Sequence, residues 1–211
     1  MKLFGRLSPF ALVALLAAPA LAQQGSERWS VDGNVLSFNT EHKGSDAGIE
    51  RSDVDRLLRL LRDNPAVEVL RLNSTGGGLY AALDMADIVI DFELDTAIDA
   101  VCESSCMYVF LGGESRTMAR GGRVGFHRVS WSADSIESYY DNHSEEEGWA
   151  TPFEFTSWIY EDTQVEVYNI LSYMVGRGVD PSFAIETLKA GADEMWSPYR
   201  PVLMAAGVLT E

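Results

Sequence analysis

The hydrophobic positions in the middle of the chain alternate between two periods. Residues 67–72 form a short apolar run typical of a buried strand, and residues 79–92 carry apolar side chains at helical spacing. A strand over 96–101, a helix over 104–111 and a strand over 123–129 continue the alternation. Strands separated by helices predict parallel pairing through crossover connections, and therefore an α/β fold.

Two further elements are predicted before this region. Residues 29–39 read as two short strands joined at Asp32-Gly33-Asn34, because Asp-Gly is a strong hairpin signal. Residues 52–62 carry an apolar stripe at helical spacing, with Ser52 as the expected N-cap and Asp55 three positions later.

The region after residue 129 is less regular. Residues 130–151 are polar, acidic and aromatic, and we expect an insertion or a flexible loop there. Helical spacing resumes over 155–175, where the apolar stripe includes Val165, Tyr168 and Val175. A shorter helix is expected to start at Pro181.

The N-terminus has the pattern of a signal peptide. Lys2 and Arg6 precede an apolar run over 10–21, which ends in Ala20-Leu21-Ala22. The run is about a dozen residues, shorter than the roughly 20 needed to span a bilayer. Cleavage after Ala22 would leave a mature chain without a membrane span, located in the periplasm or secreted.

The predicted mature chain, residues 23–211, has a length that suits one domain. The formal charge of the full chain is −16, and loss of Lys2 and Arg6 with the signal peptide makes it −18. Nucleic acid and anionic membrane surfaces both require a basic face, so the charge argues against both as partners. We interpret the acidity as a means of solubility.

The two cysteines, Cys102 and Cys106, have two interpretations. In an oxidising compartment they could pair, but residues four apart in a regular helix direct their Cβ atoms poorly for a disulfide. A bridge therefore requires that Cys102 precede the helix. A pair of small buried thiols would give the same sequence pattern.

Two segments could present backbone N–H groups to a ligand. Residues 73–78 contain three consecutive glycines at a strand-to-helix turn, where N–H groups can hold an anion. The turn lacks the lysine of a phosphate loop and the dinucleotide pattern G-x-G-x-x-G, and a tight structural turn is an equal alternative. Ser104 and Ser105 open the next helix, where a serine is either an N-cap or a nucleophile.

A histidine follows in sequence. His127 has apolar neighbours, whereas His42 and His143 lie in polar stretches. A buried histidine is usually structural, but a serine nucleophile needs an adjacent base. One such histidine and two close cysteines do not form a zinc-site pattern, so we expect no metal and no cofactor.

Taken together, these segments resemble the Clp protease proteolytic subunit and its relatives, including signal peptide peptidase A. Residues 73–77 correspond to the family's N-S-P-G-G, and 102–113 align without a gap with A-A-S-M-G-A-F-L-L-T-A-G. Residues 116–127 match R-F-x-x-P-x-S-x-x-x-x-H with equal spacing, and 193–197 are similar to D-x-F-L-S. Cys102–Cys106 followed by G-F-H is also similar to a group of exported bacterial proteins with a C-x-S-A-C motif.

The resemblance implies a crotonase-like fold of stacked strand–strand–helix units. It also implies a serine peptidase in which Ser104 is the nucleophile, His127 the base and Asp193 the residue that orients the imidazole. The backbone N–H groups of Gly77 and Ser105 would form the oxyanion hole. The substrate would be a peptide or protein, and the family's ring assemblies imply a homo-oligomer.

Departures from the family keep other functions open. Thr75 replaces the family's proline, Cys106 replaces a glycine, and Glu103 places a carboxylate beside the nucleophile. A binding or scaffold protein that keeps the fold without turnover is therefore an alternative. Acyl-CoA chemistry uses the same fold, but it fits poorly with export and with an acidic surface.

Overall fold

A computed structural model describes residues 27–44 and 48–211. The predicted signal peptide lies outside these residues. The sheet contains six strands within the described chain, which are β1 (Trp29–Asp32), β2 (Val35–Asn39), β3 (Val69–Ser74), β4 (Asp95–Glu103), β5 (Arg116–Met118) and β6 (Arg123–Gly125).

The sheet is antiparallel only at its first edge. β1 and β2 form the predicted hairpin, with Gly33 at a positive φ of 59° in the turn. From β2 onwards the pairing is parallel, in the order β2-β3-β4. β4 then pairs with two strands in succession: Thr96–Ile98 with β5, and Val101–Glu103 with β6. The predicted parallel α/β architecture is confirmed.

Helices connect the parallel strands and cover the sheet. The helices are α1 (Arg51–Asp63), α2 (Leu79–Asp91), α3 (Cys106–Leu111), α4 (Ala133–Glu147), α5 (Pro152–Gly176), α6 (Pro181–Glu186) and α7 (Arg200–Ala205). α2 contacts both α1 and α3, and the three follow β2, β3 and β4 in turn. Each therefore belongs to a strand–helix–strand crossover.

One hydrophobic core joins these elements. Alternate residues of the central strands are fully buried, as the period of a β-strand requires, and they pack against apolar residues of the three crossover helices. The buried members of β2, β3 and β4 in this cluster include Leu36, Phe38, Leu70, Leu72 and Ile98. None of the helices in the described part of the chain is both long enough and apolar enough to cross a bilayer.

Two local predictions are wrong. The N-cap of α1 is Glu50, not Ser52, and Glu50 forms a capping box with Asp53. The flexible loop that was one expectation for 130–151 is also not observed, because α4 makes most of this segment helical, from residue 133 to 147. The Ser132 hydroxyl accepts a hydrogen bond from the Ser135 N–H at the start of α4, and Gly148 ends the helix at a φ of 75°.

Aromatic side chains explain why α4 forms despite its polar sequence. Tyr139 lies 5.9 Å from Trp158 and 6.2 Å from Phe155, measured between ring centroids. Trp149 contacts the same two rings. The aromatic side chains of 130–151 thus form a small second core that packs α4 against α5. The sequence periodicity of this segment does not distinguish such a helix from a loop.

Candidate active site

Three strand ends meet at one edge of the sheet. The glycine-rich turn follows β3, Ser104 follows β4, and His127 lies two residues beyond β6. Because β3, β4 and β6 are parallel, their carboxyl ends lie on the same side, where α/β proteins generally place ligands. The parallel topology therefore brings together residues that are up to 54 positions apart in the chain.

Ser104 and His127 are hydrogen-bonded. The distance between the Ser104 Oγ atom and the His127 Nε2 atom is 2.6 Å. The Ser104 N–H donates to the Gly125 carbonyl at 2.9 Å, which ties the serine to the strand that carries the histidine. Ser104 has a φ of 55°, a left-handed conformation uncommon for a residue with a Cβ and often found at functional sites.

The cysteines on either side of Ser104 form a disulfide. Cys102 lies in β4 and Cys106 is the first residue of α3, with their Cα atoms 5.3 Å apart. Cys102 thus precedes the helix, and the sequence analysis concluded that a disulfide is possible only in that case. Both residues are fully buried.

The glycine-rich turn packs directly against the serine. Gly76 has a φ of 100°, and a Cβ atom there would lie 2.8 Å from the Ser104 Cβ atom and from the Glu103 carbonyl oxygen. Gly77 has a φ of 150°, and a Cβ atom on it would lie 2.1 Å from the Ile49 nitrogen. Only glycine fits at either position.

The predicted oxyanion donors are both free to bind a ligand. Among residues 27–44 and 48–211, no acceptor is bonded to the backbone N–H of Gly77 or of Ser105. Both residues line a cavity of about 300 Å³ together with Ser104 and His127. The Ser105 hydroxyl donates to the Gly77 carbonyl at 3.1 Å, so it links the two donors.

Thr40 and Glu41, which the sequence analysis did not single out, hold the glycine-rich turn in place. The Glu41 carboxylate accepts hydrogen bonds from the Thr75 N–H and hydroxyl, at 3.0 and 2.9 Å. The Thr40 hydroxyl donates to the buried Ser74 hydroxyl at 2.8 Å. Partial burial acts to raise the pKa of Glu41, but the hydrogen bonds that its carboxylate accepts from Thr75 and from the Thr40 hydroxyl outweigh it and lower the pKa below its usual value. Thr75, where the family has proline, is therefore used as a hydrogen-bond donor.

The carboxylate beside Ser104 is paired with an arginine. Glu103 is 8% exposed, and its Oε1 atom accepts a hydrogen bond from the Arg123 Nε atom at 2.6 Å. The pairing follows from the sheet, because β6 begins at Arg123 and lies against the end of β4. Glu103 thus has a partner of opposite charge next to Ser104.

Asp193 is not placed as the sequence predicted. Asp193 is exposed, and the His127 Nδ1 atom is buried without a hydrogen-bond partner among the described residues. The expected hydrogen bond from the Asp193 carboxylate to the imidazole is therefore absent. Asp193 lies in the turn 191–194, whose closing contacts join Gly191 and Glu194 instead.

The segment around Asp193 nevertheless contacts the histidine strand through its backbone. The Phe126 N–H donates to the Trp196 carbonyl at 2.9 Å, and the Trp196 N–H donates back to Phe126 at 3.0 Å. The Arg128 N–H donates to the Ala190 carbonyl at 3.2 Å. The residues on both sides of His127 are thus held by the segment 190–196, although its imidazole receives no carboxylate from it.

A second, more enclosed cavity of about 180 Å³ adjoins the site. Ser104 and His127 line both cavities, and the second is walled largely by apolar side chains, including Met107, Leu111, Val167, Ile170 and Met174. One face of α5 supplies part of this wall.

The predicted apolar face of α5 was wrong in its second half, because Val165, Tyr168 and Val175 are exposed. The lining face instead has Thr163, Glu166, Val167, Ile170 and Met174, whose helical spacing was the missed signal.

Glu166 is the acidic residue that lines both cavities. Burial raises the pKa of the Glu166 carboxyl, and the negative charge of Asp162 adds to the rise. The Tyr80 hydroxyl donates to Glu166 at 3.3 Å and opposes the shift. Burial also raises the pKa of the neighbouring Tyr108 to about 12, so this phenol stays neutral at ordinary pH.

No protein-family model matches the chain, and no curated protein matches it. Its fold is similar to that of a substrate-peptide complex of a lysine-to-alanine mutant of the 1510-N membrane-bound stomatin-specific protease. That comparison has a TM-score of 0.53 and 19% identity over 77% of this chain and 69% of the other. A serine-to-alanine mutant of the same protease gives 0.50 and 17%, over 76% and 72%.

A mutant of ClpP1 from Listeria monocytogenes is also similar. It has a TM-score of 0.54 and 13% identity, and the match covers 85% of this chain and 91% of the other. Identities this low show a shared fold and not a shared activity. The chain therefore has the Clp protease-like α/β fold that its sequence predicted.

Proposed function

We propose that this protein is a serine hydrolase that cleaves peptide bonds. The observation that carries the proposal is the 2.6 Å hydrogen bond between Ser104 Oγ and His127 Nε2. A serine hydroxyl is a weak nucleophile unless a base within hydrogen-bond reach takes its proton. A structural N-cap would direct its hydroxyl to its own helix, whereas Ser104 directs it to an imidazole.

The chemistry would follow the serine-hydrolase sequence. Ser104 Oγ attacks the substrate carbonyl carbon while His127 Nε2 takes the hydroxyl proton. The N–H groups of Gly77 and Ser105 bind the resulting oxyanion, and one such donor contributes about 3 kcal/mol to transition-state stabilisation. His127 then donates the proton to the leaving amine, and water hydrolyses the acyl-enzyme.

Peptides are the proposed substrates for two reasons. The two cavities meet at Ser104, so an extended chain could lie across the serine with a side chain in the apolar cavity. The protein of similar fold that was solved with a ligand is described as a protease with a substrate peptide. The fold by itself does not assign the activity, so the serine must be tested directly.

A fluorophosphonate probe tests the proposal, because it labels an activated serine and ignores one that only caps a helix. We expect intact-mass analysis of the chain from residue 23 to show one adduct, which peptide mapping assigns to Ser104. The Ser104→Ala variant serves as the matched control and should show no adduct. Equal labelling of the variant and the parent protein would refute the assignment.

The alternative function is a binding or scaffold protein. It is favoured by the Nδ1 atom of His127, which has no hydrogen-bond partner within residues 27–44 and 48–211, because a carboxylate there normally orients the imidazole and stabilises its charged form. The same probe separates the two functions. A folded parent protein that takes up no probe, but binds peptides, would be a scaffold.

We further propose that residues 1–22 are a cleaved signal peptide and that the mature domain is exported. A disulfide at the site fits an oxidising compartment. N-terminal sequencing of protein from the periplasm or medium should begin at Gln23. An uncleaved cytoplasmic chain would contradict this.

We also propose a homo-oligomer. α5 exposes several large apolar side chains, among them Phe153 and Tyr168, which are 84% and 70% exposed. Apolar groups concentrated on one helix are typical of an interface. Light scattering of the mature protein, with Phe153→Glu as the disrupting variant, would test this; a monomeric parent would contradict it.

A further inference from the structure

The disulfide brackets the candidate nucleophile within five residues. Cys102 is the last residue but one of β4, and Cys106 is the first residue of α3. Ser104 lies midway between them. Both cysteines are 0% exposed and belong to the main hydrophobic core. The bond therefore joins the two ends of the bend that carries Ser104 within the hydrophobic core.

The bend holds Ser104 in a conformation that its side chain disfavours. A left-handed φ such as the 55° of Ser104 is unfavourable for a residue with a Cβ, because the Cβ atom crowds the backbone carbonyl. Such a conformation persists only where the surroundings over-determine it. Besides the disulfide, two backbone hydrogen bonds restrain Ser104: its N–H donates to Gly125, and its carbonyl accepts from Met107.

The loop that the disulfide closes is short, and this limits how much the bond can stabilise the whole fold. The stabilisation that a disulfide gives by restricting the unfolded chain grows with the number of residues it encloses. A separation of four residues is near the lower end of that scale. A bond of this kind contributes less to global stability than one that closes a long loop, and the residues that it restrains directly are those of the bend.

We propose that the Cys102–Cys106 disulfide is a positioning element for the nucleophile. It holds Ser104 in the left-handed conformation that directs Oγ to His127 Nε2 and leaves the Ser105 N–H free for the oxyanion. Without the bond, the bend relaxes and the hydroxyl leaves the imidazole for part of the time. The proposal rests on the hydrolase function proposed above, and it makes activity dependent on the oxidised state.

The double variant Cys102→Ala/Cys106→Ala tests the proposal with the fluorophosphonate probe. We expect Ser104 to remain the labelled residue, with the maximal inactivation rate about tenfold lower, because small displacements of a reacting group slow chemistry strongly. The half-saturating probe concentration should stay unchanged, since neither cysteine lines the two cavities that contain Ser104. A purely structural role would leave the maximal rate of the folded fraction unaltered.

Partial reduction of the parent protein gives a second measurement in one sample. A dithiol donates two electrons and two protons to the bond, yields two thiols and is itself oxidised to a disulfide. After a short probe pulse, a denaturing quench with N-ethylmaleimide distinguishes reduced molecules, which carry two maleimides, from oxidised ones. We expect a probe adduct on a much smaller fraction of the reduced molecules, and reoxidation should restore labelling.

The possible outcomes separate the two proposals. If the oxidised parent takes up no probe, the hydrolase function fails and the positioning role fails with it. If the parent is labelled and the folded double variant is labelled at the same maximal rate, the hydrolase stands and the positioning role is overturned. A double variant that does not fold would assign the bond to global stability and would also overturn it.

Discussion

The two nitrogen atoms of His127 differ in their hydrogen bonding. Nε2 has a partner in Ser104 at 2.6 Å, and Ser104 is itself fixed by a disulfide and by backbone hydrogen bonds. Nδ1 is buried without a hydrogen-bond partner in the described chain. We call the Nε2 side, which carries the proposed nucleophile, the nucleophile side and the Nδ1 side the orienting side.

The difference shows which residues of such a site have positions that the strand register of a sheet determines. Ser104 and His127 each follow a strand, and the register that pairs Glu103 with Gly125 sets their separation. Asp193 lies in a turn whose flanking residues, Ala190 and Trp196, hydrogen-bond to the residues on either side of His127. These bonds place the backbone of the turn, and the Asp193 side chain itself is exposed.

The largest expected effect tests the nucleophile side. Ser104→Ala should lower any peptide hydrolysis by roughly 10³-fold or more, because the nucleophile and its base act as a unit. Ser105→Ala is the matched control. It loses one hydrogen bond to Gly77 but keeps its backbone N–H, so we expect a much smaller loss of rate. Comparable losses in both variants would remove the distinction between the two serines.

The next effect tests the glycine-rich turn. Gly76→Ala should destabilise the protein by about 3 kcal/mol and slow probe labelling, because the new Cβ meets backbone atoms and a left-handed φ at once. Gly148→Ala is the control, since Gly148 also has a positive φ but has no atom within 4 Å of an added Cβ. We expect about 1 kcal/mol there, measured by urea unfolding. Equal losses would show that φ, and not contact with Ser104, governs the turn.

The third prediction tests the orienting side. Asp193→Asn should change the rate of probe labelling by no more than about twofold, as expected for an exposed residue without hydrogen bonds to the site. A carboxylate that orients the imidazole would instead contribute up to about 10⁴-fold. A loss of that order, in a folded protein, would mean that Asp193 reaches His127 in the working state.

The smallest effect concerns Glu166. Its pKa is raised in the folded protein, so the folded state binds the proton more tightly than the unfolded state. The stability contributed by Glu166 is therefore full below its unfolded pKa and falls as the pH rises through its raised folded pKa. Glu166→Gln should remove this fall, and its melting temperature should exceed that of the parent at neutral pH more than at pH 4. Asp162→Asn, which removes a cause of the shift, should act in the same direction but less.

The sequence predicted the strands and helices around the site better than the side-chain contacts between them. The strands and helices predicted from residue 67 to 127 are present in the predicted order because each has a clear hydrophobic period, but the three-residue strand β5 was not predicted. The same order brought Ser104 next to His127, since the carboxyl ends of parallel strands share an edge.

What the sequence could not predict depends on tertiary contacts. α4 is held by aromatic packing against α5, so its polar sequence resembled a loop. Glu41 caps the glycine-rich turn from 34 positions away, and no local pattern indicates such a hydrogen bond. Asp193 was assigned from a short motif, and a match of residue types cannot fix the direction of a side chain in a turn.

The double pairing of β4 has a consequence for how this fold tolerates change. β5 pairs with Thr96–Ile98 and β6 with Val101–Glu103, so one strand carries the nucleophile and is also the template for the strand that leads to the base. A residue gained or lost between Gly125 and His127 would therefore turn the imidazole away from Ser104, whereas one gained or lost in the turn between β5 and β6 should disturb the site less, because β6 keeps its own pairing with β4.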